Sequence, residues 1–476
     1  MKIAMLASEA NPLCKTGGLA DVVFALSKEL RKKKDDVIVV LPFYLAIGEK
    51  GKGAKKVDSF DVQMGWRHNQ ADIYRLDVEG IPYYLVDNDR YFGARPALYG
   101  YDDDGERFAF YTLAAMGFIH RLGFAPDILH CHDWQAGMVP AILRHQYAKC
   151  PDLSRAKTVM TIHNPAFKGI LDPYSLGDLY NLPESLYTDG TARFEGMVST
   201  LKCGIVMATK VTTVSPTHRE ELLTPELSQG LSSVLRLREY DFCGFVNGID
   251  AEEWNPSKDP LIPHPFDGRS LVSGKAKNKA ALQRSLGLEE SNGPLFGLVS
   301  RLTRQKGIDL VLSLIPEIVR RGGQVVILGS GEYELEEKAR VLASAFPRSV
   351  RAEIRYSDAL AHAIYAGSDF FLMPSLFEPC GIGQLLAERY ASIPVARDTG
   401  GLHDTISDYR GENEDVANGI LFRDYGFDGL RYGVDMAFRA YKDKKVLAKL
   451  RKNAYKADHS WARSAELYQG LYRAIV

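Results

Sequence analysis

Short apolar runs alternate with amphipathic segments along the chain, and this pattern predicts strands that alternate with helices. In the first half the predicted strands lie at 3–7, 37–42, 73–76, 81–86, 127–130, 157–162 and 210–214. In the second half they lie at 294–300, 324–328, 352–355, 369–373 and 394–396. Apolar residues at helical spacing predict helices over 22–34, 108–122, 135–147, 308–315 and 461–476. Such alternation is typical of open, mostly parallel α/β sheets, which bind ligands beyond the carboxyl ends of their strands.

The pattern is interrupted once, around residues 240–280. Residues 245–250 predict a strand end and a turn, and prolines at 256, 260, 263 and 265 exclude regular structure after it. We expect the interdomain connection here, because 476 residues are too many for one ordinary domain. The predicted divisions are an N-terminal domain over 1–245, a second domain over 246–455 and a C-terminal segment over 456–476.

Composition excludes several classes of protein. A net charge of −1 and a pI of about 6.8 give no global basicity for nucleic-acid binding. No apolar run approaches the roughly 20 residues of a membrane span. The apolar run at the N-terminus is short and ends before Glu9, unlike a secretory signal. Six scattered cysteines without a CxxC pair fit reduced thiols. We therefore expect a cytoplasmic protein without nucleic-acid or membrane partners.

A glycine-rich loop follows the first predicted strand, with the sequence KTGGLAD at 15–21. Two glycines allow close backbone approach, the following helix presents free N–H groups, and Lys15 adds positive charge, so the loop suits a phosphate. A purely structural turn is the alternative. The same pattern recurs as TGGLHD at 399–404, between another strand and helix. One such loop in each half predicts two Rossmann-like domains that face each other across a cleft.

Charged side chains in the second half suggest a diphosphate site. Arg301 and Lys306 lie on a loop between a strand and a helix, which favours a diphosphate clamp, or else a solvated basic loop. Glu378, in FEPCG, could hold a sugar hydroxyl or cap a helix. Cys380 is interpreted as a packing residue rather than a reactive thiol. Tyr356 could stack on a nucleotide base or belong to the core.

Two histidine motifs end neighbouring strands, HDW at 132–134 and HN at 163–164. They could bind sugar hydroxyls. Ser/His/Asp catalysis is disfavoured because no GxSxG elbow is present, and a zinc site is disfavoured because HExxH is absent. A Walker A loop is absent as well, and the GSG at 329–331 lacks the third glycine of a dinucleotide fingerprint.

Taken together, these motifs resemble the bacterial glycogen synthase and starch synthase family. The resemblance is carried by KTGGLAD (15–21), HDW (132–134), TIHN (161–164), VSPT (214–217), NGID (247–250), Lys275 with NK (278–279), SRL (300–302), QKG (305–307), FEPCG (377–381) and TGGL (399–402). It implies a GT-B fold, with a C-terminal helix that crosses back to the first domain. It also implies transfer of glucose from ADP-glucose to the non-reducing end of an α-1,4-glucan such as glycogen, with retention of configuration and without metal or cofactor.

The resemblance implies roles for individual residues. Lys15 with Gly17 and Gly18 would meet the distal phosphate, and Arg301 and Lys306 would neutralise the diphosphate. Glu378 would position the glucose, and the His163 carbonyl would stabilise the oxocarbenium-like state. The remaining substrate-binding positions would be Asp21, Asp133, Asn164, Asn247, Tyr356 (against the adenine), Cys380, Gly381, Thr399 and Gly400.

The chain departs from the family pattern at three positions. Gly383 stands where threonine is usual, Asp104 where asparagine is common, and Asp398 where a basic or neutral residue is frequent. An acidic group beside a diphosphate site could weaken donor binding. A UDP-glucose-dependent or small-acceptor glycosyltransferase therefore remains an alternative, as does an inactive glucan-binding protein.

Overall fold

A computed structural model of the chain describes all 476 residues. The strands are β1 Lys2–Leu6, β2 Asp36–Pro42, β3 Lys55–Met64, β4 Arg67–Val78, β5 Ile81–Asp87, β6 Ile128–His132, β7 Lys157–Ile162, β8 Ile170–Leu171, β9 Arg193–Phe194, β10 Met197–Ser199, β11 Lys210–Thr213, β12 Phe242–Gly244, β13 Leu295–Val299, β14 Gln324–Leu328, β15 Val350–Glu353, β16 Phe370–Met373, β17 Ile393–Arg397 and β18 Ile420–Phe422. The α-helices are α1 Gly18–Lys32, α2 Asp104–Arg121, α3 Val139–Gln146, α4 Ser175–Asp178, α5 Ser185–Thr188, α6 Thr200–Met207, α7 Pro216–Leu222, α8 Ser232–Leu237, α9 Leu271–Ser285, α10 Ile308–Arg320, α11 Tyr333–Ala345, α12 Asp358–Gly367, α13 Gly383–Arg389, α14 Gly400–Thr405, α15 Phe427–Lys442, α16 Lys444–Lys456 and α17 Trp461–Ile475. None of these helices combines the length and the apolar character needed to cross a membrane.

The chain divides into two compact units. Unit 1 comprises Met1–Phe245 together with Trp461–Val476, and unit 2 comprises Val246–Ser460. The last helix, α17, is therefore part of unit 1, whereas residues 456–460, expected with that helix, belong to unit 2.

Unit 1 is built on a nine-stranded sheet with the order β12-β11-β7-β6-β1-β2-β5-β4-β3. The strands from β12 to β5 run parallel, and β4 and β3 extend the sheet as an antiparallel hairpin. Because β1, β6 and β7 are parallel neighbours, the residues that follow them emerge at one edge of the sheet. A separate three-stranded antiparallel sheet, β8-β10-β9, completes the strands of the unit.

Unit 2 is built on a six-stranded parallel sheet with the order β15-β14-β13-β16-β17-β18. Successive residues of its strands pack into two different cores: Phe296 and Phe370 face one, and their neighbours Leu295 and Phe371 face the other. Strands covered on both faces read as continuous apolar runs, which explains why the sequence pattern identified five of the six strands; β18 was not predicted.

The proline-rich segment is part of unit 2 and not a free connection. Ile262 and Phe266 are buried in one of its cores, and no helix or strand forms between β12 and α9. The strand end predicted at 245–250 is wrong in position, because β12 already ends at Gly244. Ile249 instead forms a bridge with Ser460, and its N–H donates to the His459 carbonyl at 2.8 Å.

The motif at 275–279 stabilises unit 2. Lys279 Nζ lies 2.6 Å from Asp369 Oδ2, and Arg451 pairs with the other oxygen of that carboxylate. The two cations hold the pKa of Asp369 below its usual value despite its burial. Lys275 is also buried and donates to the Tyr365 carbonyl at 3.0 Å. These motif residues tie helix α9 to helix α12 and to Asp369, the residue that precedes β16.

Candidate active site

In unit 1 the glycine loop at 15–21 connects β1 to α1, as predicted. Lys15 is half exposed, and its Nζ lies 2.7 Å from the Asp21 carboxylate. Asn11 Nδ2 donates to the same carboxylate at 2.6 Å. Burial raises the pKa of Asp21, and the charge of Lys15 opposes that rise. A Cβ at Gly17 would meet no atom within 4 Å, so the space beside this glycine is open.

Glu9, which the sequence analysis did not identify as a site residue, forms hydrogen bonds that stabilise this loop. Its Oε1 accepts from the Thr16 hydroxyl at 2.6 Å and from the Tyr99 hydroxyl at 2.7 Å. Its Oε2 accepts from the backbone N–H of Thr16 and, at 3.3 Å, from that of Gly17. Glu9 is only 4% exposed. Its one sequence signal is a carboxylate placed just after a buried strand and before a glycine pair.

Asp133 fixes the backbone at the end of β7. It has a left-handed φ of 55° at the end of β6, and its Oδ1 accepts the His163 N–H at 2.7 Å and the Asn164 N–H at 3.4 Å. Burial raises the pKa of Asp133 to about 7. The structure thus brings Asp133, His163 and Asn164 together, and Asp133 orients the peptide groups of the other two.

Three histidines stack at the ends of β6 and β7. The ring centroids of His130 and His132 lie 4.2 Å apart, and those of His132 and His163 lie 5.3 Å apart. Burial lowers the pKa of His130 and of His163 to about 3, and that of His132 well below its usual value. The three rings are therefore neutral at physiological pH. No group of three or more histidine, cysteine or acidic side chains is arranged to hold a metal ion.

In unit 2 the predicted phosphate residues lie around one cavity of about 190 Å³, which is lined by Arg301, Lys306, Glu378, Gly381 and Gly383 among others. Lys306 Nζ lies 2.6 Å from Glu378 Oε2, which also accepts the Ser375 hydroxyl at 3.0 Å. Arg301 is exposed. The cavity combines fixed positive charge with an acceptor for hydroxyl groups, as recognition of a sugar phosphate requires.

The Cys380–Gly381 turn contacts two other segments of unit 2 that carry predicted site residues. One contains Asn247, and the other is the second glycine loop. Cys380 Sγ accepts the Asn247 N–H at 3.3 Å, and burial raises the pKa of this thiol to about 12, which fits a packing role. Asn247 Oδ1 is buried without a hydrogen-bond partner. A Cβ at Gly401 would lie 2.0 Å from the Cys380 carbonyl oxygen, so the second glycine loop, which begins at Thr399, is shaped by packing.

Tyr356 follows β15 and is 87% exposed, which excludes the core as its location.

The three departures from the family pattern have distinct surroundings. Gly383 lines the cavity of unit 2. Asp398 lies 2.6 Å from His403 and 3.8 Å from Arg423, so Arg423 offsets its negative charge. Asp104 is tied to Arg107 within unit 1 and accepts the Gly100 N–H at 2.8 Å.

Comparison with known proteins agrees with both units. The family described as "Starch synthase catalytic domain" matches residues 2–237, and "Glycosyl transferases group 1" matches residues 281–457. The glycogen synthase of Anoxybacillus flavithermus is 43% identical over 478 residues, which cover 100% of this chain and 98% of that protein. The glycogen synthase of Clostridium perfringens is 42% identical over 480 residues, with the same coverage of both chains.

Solved structures give the same result. The catalytic domain of starch synthase IV from Arabidopsis thaliana, bound to ADP and acarbose, matches with a TM-score of 0.89 and 34% identity over 99% of both chains. Sucrose-phosphate synthase from Thermosynechococcus elongatus matches with a TM-score of 0.60 at 16% identity, over 100% of this chain and 98% of that chain, which shows the fold alone.

The fold and these matches together identify a glycosyltransferase of the GT-B class, which confirms the predicted fold class. The chain belongs to the glycogen synthase and starch synthase family. It is a glucosyltransferase with glycogen or starch synthase function, as the sequence motifs indicated.

Proposed function

We propose that the enzyme transfers glucose from ADP-glucose to the non-reducing end of an α-1,4-glucan, with retention of configuration and without metal. The observation that carries this proposal is the cavity of unit 2, where Lys306 pairs with Glu378 beside the exposed Arg301. Two cations suit the diphosphate, and a carboxylate already aligned by Lys306 and Ser375 suits a glucose hydroxyl. The starch synthase that bound ADP supports adenine as the base, with Tyr356 as its stacking partner.

Unit 1 supplies the groups around the reacting carbon in this proposal. Lys15 and the loop at Gly17 and Gly18 meet the distal phosphate. His163 lies against the transferred sugar. Because its ring is neutral, no imidazolium opposes the positive charge that develops there. Asp21, Asp133 and Asn164 serve donor or acceptor hydroxyls.

The bond changes balance without a protein nucleophile. The bond between C1 and the phosphate oxygen breaks, the acceptor hydroxyl oxygen bonds to C1 on the same face, and the acceptor proton passes to the departing phosphate. A two-step route would need a carboxylate near C1. The two buried carboxylates among the predicted site residues are already engaged, Asp133 by backbone N–H groups and Glu378 by Lys306. The Asn247 amide oxygen is buried and has no hydrogen-bond partner within the protein.

Purified enzyme assayed on glycogen with ADP-glucose and with UDP-glucose, each with and without EDTA, tests the proposal. We expect α-1,4-linked glucose to be added from ADP-glucose at a rate unaffected by EDTA. Faster transfer from UDP-glucose favours the alternative donor, and loss of activity in EDTA contradicts a metal-independent reaction. Lys306→Met should abolish most transfer, whereas Lys28→Met, at a surface ion pair with Glu79, is the matched control.

The expected cytoplasmic location stays a prediction.

A further inference from the structure

His132 is a buried residue with no part in the mechanism described so far. It is the last residue of β6 and is fully buried. Its Nδ1 lies 3.0 Å from His163 Nε2, and its own Nε2 is buried without a hydrogen-bond partner. The hydrogen bond that its side chain makes within the protein is therefore directed at His163.

The unpartnered nitrogen determines which ring donates. Both rings are neutral, so each carries one N–H, and only one hydrogen can lie between the two rings. If His163 donated, the hydrogen of His132 would sit on Nε2, where nothing accepts it. A buried N–H without an acceptor is unfavourable and is rarer than an unfilled acceptor. His132 therefore donates from Nδ1, and the hydrogen of His163 stays on its own Nδ1.

We propose that His132 is a positioning residue that fixes the tautomer of His163, so that His163 presents a neutral Nδ1–H donor to the transferred sugar. This rests on the function proposed above. The side chain of His163 is only partly buried, and no protein group bonds its Nδ1. A hydroxyl oxygen of the sugar can accept from that N–H without bringing positive charge beside the reacting carbon.

The ring of His132 packs against the ring of His130, and this contact fixes its orientation. His130 stacks on it at 4.2 Å, with an interplanar angle of 31°. His130 is bonded through Nδ1 to the Tyr472 hydroxyl of α17 at 2.7 Å and through Nε2 to the Thr161 hydroxyl at 2.6 Å. The last helix of the chain thus supports the stack that ends at His163.

Nitrogen NMR of histidine-labelled enzyme tests the tautomer directly, because two-bond proton correlations distinguish Nδ1–H from Nε2–H. The chain contains 11 histidines, and His163→Asn assigns the relevant signals. We expect Nδ1–H at His163 in the wild type and in His132→Asn, whose amide nitrogen can donate from nearly the same position. His132→Leu removes the donor, and His163 should then show both tautomers.

Steady-state kinetics give the second readout. His132→Leu should lower kcat about 10- to 100-fold, the range typical of losing the partner that orients a metal-bound histidine. The KM for the donor should change little, since His132 does not touch the donor. His132→Asn should recover most of kcat. His218→Leu, at another buried histidine of unit 1, should lower thermal stability without this selective loss of kcat.

Two results would overturn the proposal: Nε2–H at His163 in the wild type, or equal losses of kcat in His132→Asn and His132→Leu. If His132→Leu does not fold, the wild type and His132→Asn still decide the tautomer. If the wild type transfers no glucose from any nucleotide sugar, the proposed function fails, and the NMR result still decides whether His132 fixes the tautomer.

Discussion

Replacing Glu9 by glutamine removes a negative charge from beneath the glycine loop while keeping the shape of the side chain. Glu9 Oε2 accepts from two backbone N–H groups, those of Thr16 and Gly17, which cannot reverse direction. The glutamine carbonyl must therefore take the position of Oε2, and its NH₂ group takes that of Oε1. The hydroxyls of Thr16 and Tyr99 can turn to accept from it. The number of hydrogen bonds is kept, and only their charge assistance is lost.

The size of the effect follows from that exchange. A hydrogen bond to a charged group contributes about 1.5–3 kcal/mol, and a neutral one about 0.5–1.5 kcal/mol. Two backbone bonds, one of them long at 3.3 Å, therefore lose about 1–2 kcal/mol together. For a unit of this size we expect Tm to fall by about 2–8 °C. If the ordered loop binds the donor, its KM should rise about 5- to 30-fold.

Thermal unfolding and initial rates at varied ADP-glucose measure the two effects in the same preparation. Glu79→Gln is the matched control, since Glu79 is 54% exposed and pairs with Lys28 at the surface. Such a pair contributes at most about 1 kcal/mol, and its loss should leave the KM unchanged. A lower Tm for Glu9→Gln with wild-type kinetics would show that Glu9 stabilises the strand end without serving the donor. Wild-type values of both would refute the reasoning altogether.

Two further predictions test other parts of the site. Tyr356→Ala should leave Tm unchanged, because the side chain is 87% exposed, and should raise the KM for ADP-glucose about 5- to 150-fold through lost stacking of about 1–3 kcal/mol; an unchanged KM contradicts the adenine contact. Burial raises the pKa of Asp133 from 3.8 to about 7, so its contribution to stability is complete below its unfolded pKa and is lost as pH rises through about 7. The stability of Asp133→Asn relative to the wild type should therefore improve between about pH 4 and pH 7 in urea unfolding, and a difference independent of pH contradicts this.

Burial decided which elements could be predicted from the sequence. The central strands of both sheets are covered on both faces and read as apolar runs, whereas β3 is mostly exposed, with only Val62 and Met64 buried. Its polar residues gave no strand signal, so the hairpin of β3 and β4 was recognised only in part.

Candidate site residues could be proposed from the sequence where their chemistry is local. Glycine pairs and closely spaced cations pointed to Lys15, Arg301 and Lys306, and the structure places Arg301 and Lys306 around one cavity. The donation from His132 to His163 joins residues 31 positions apart on neighbouring strands, and no spacing rule predicts that contact. Glu9 was not identified for a related reason. Its carboxylate accepts from loop N–H groups seven and eight residues along the chain, and only the fold brings these groups to it.

The two TGGL loops show that the same local sequence can satisfy different physical requirements. At Gly401 the requirement lies within the protein, since any Cβ would collide with the Cys380 carbonyl, and Gly400 has a left-handed φ of 45°. Gly17, the counterpart of Gly400, has an extended φ of −149°, and a Cβ there would face open space, so the protein imposes no such requirement at that position. A side chain at Gly17 would therefore obstruct only a ligand that binds beside the loop. The two glycine loops therefore favour a ligand beside Gly17 and a packing role for Gly400 and Gly401.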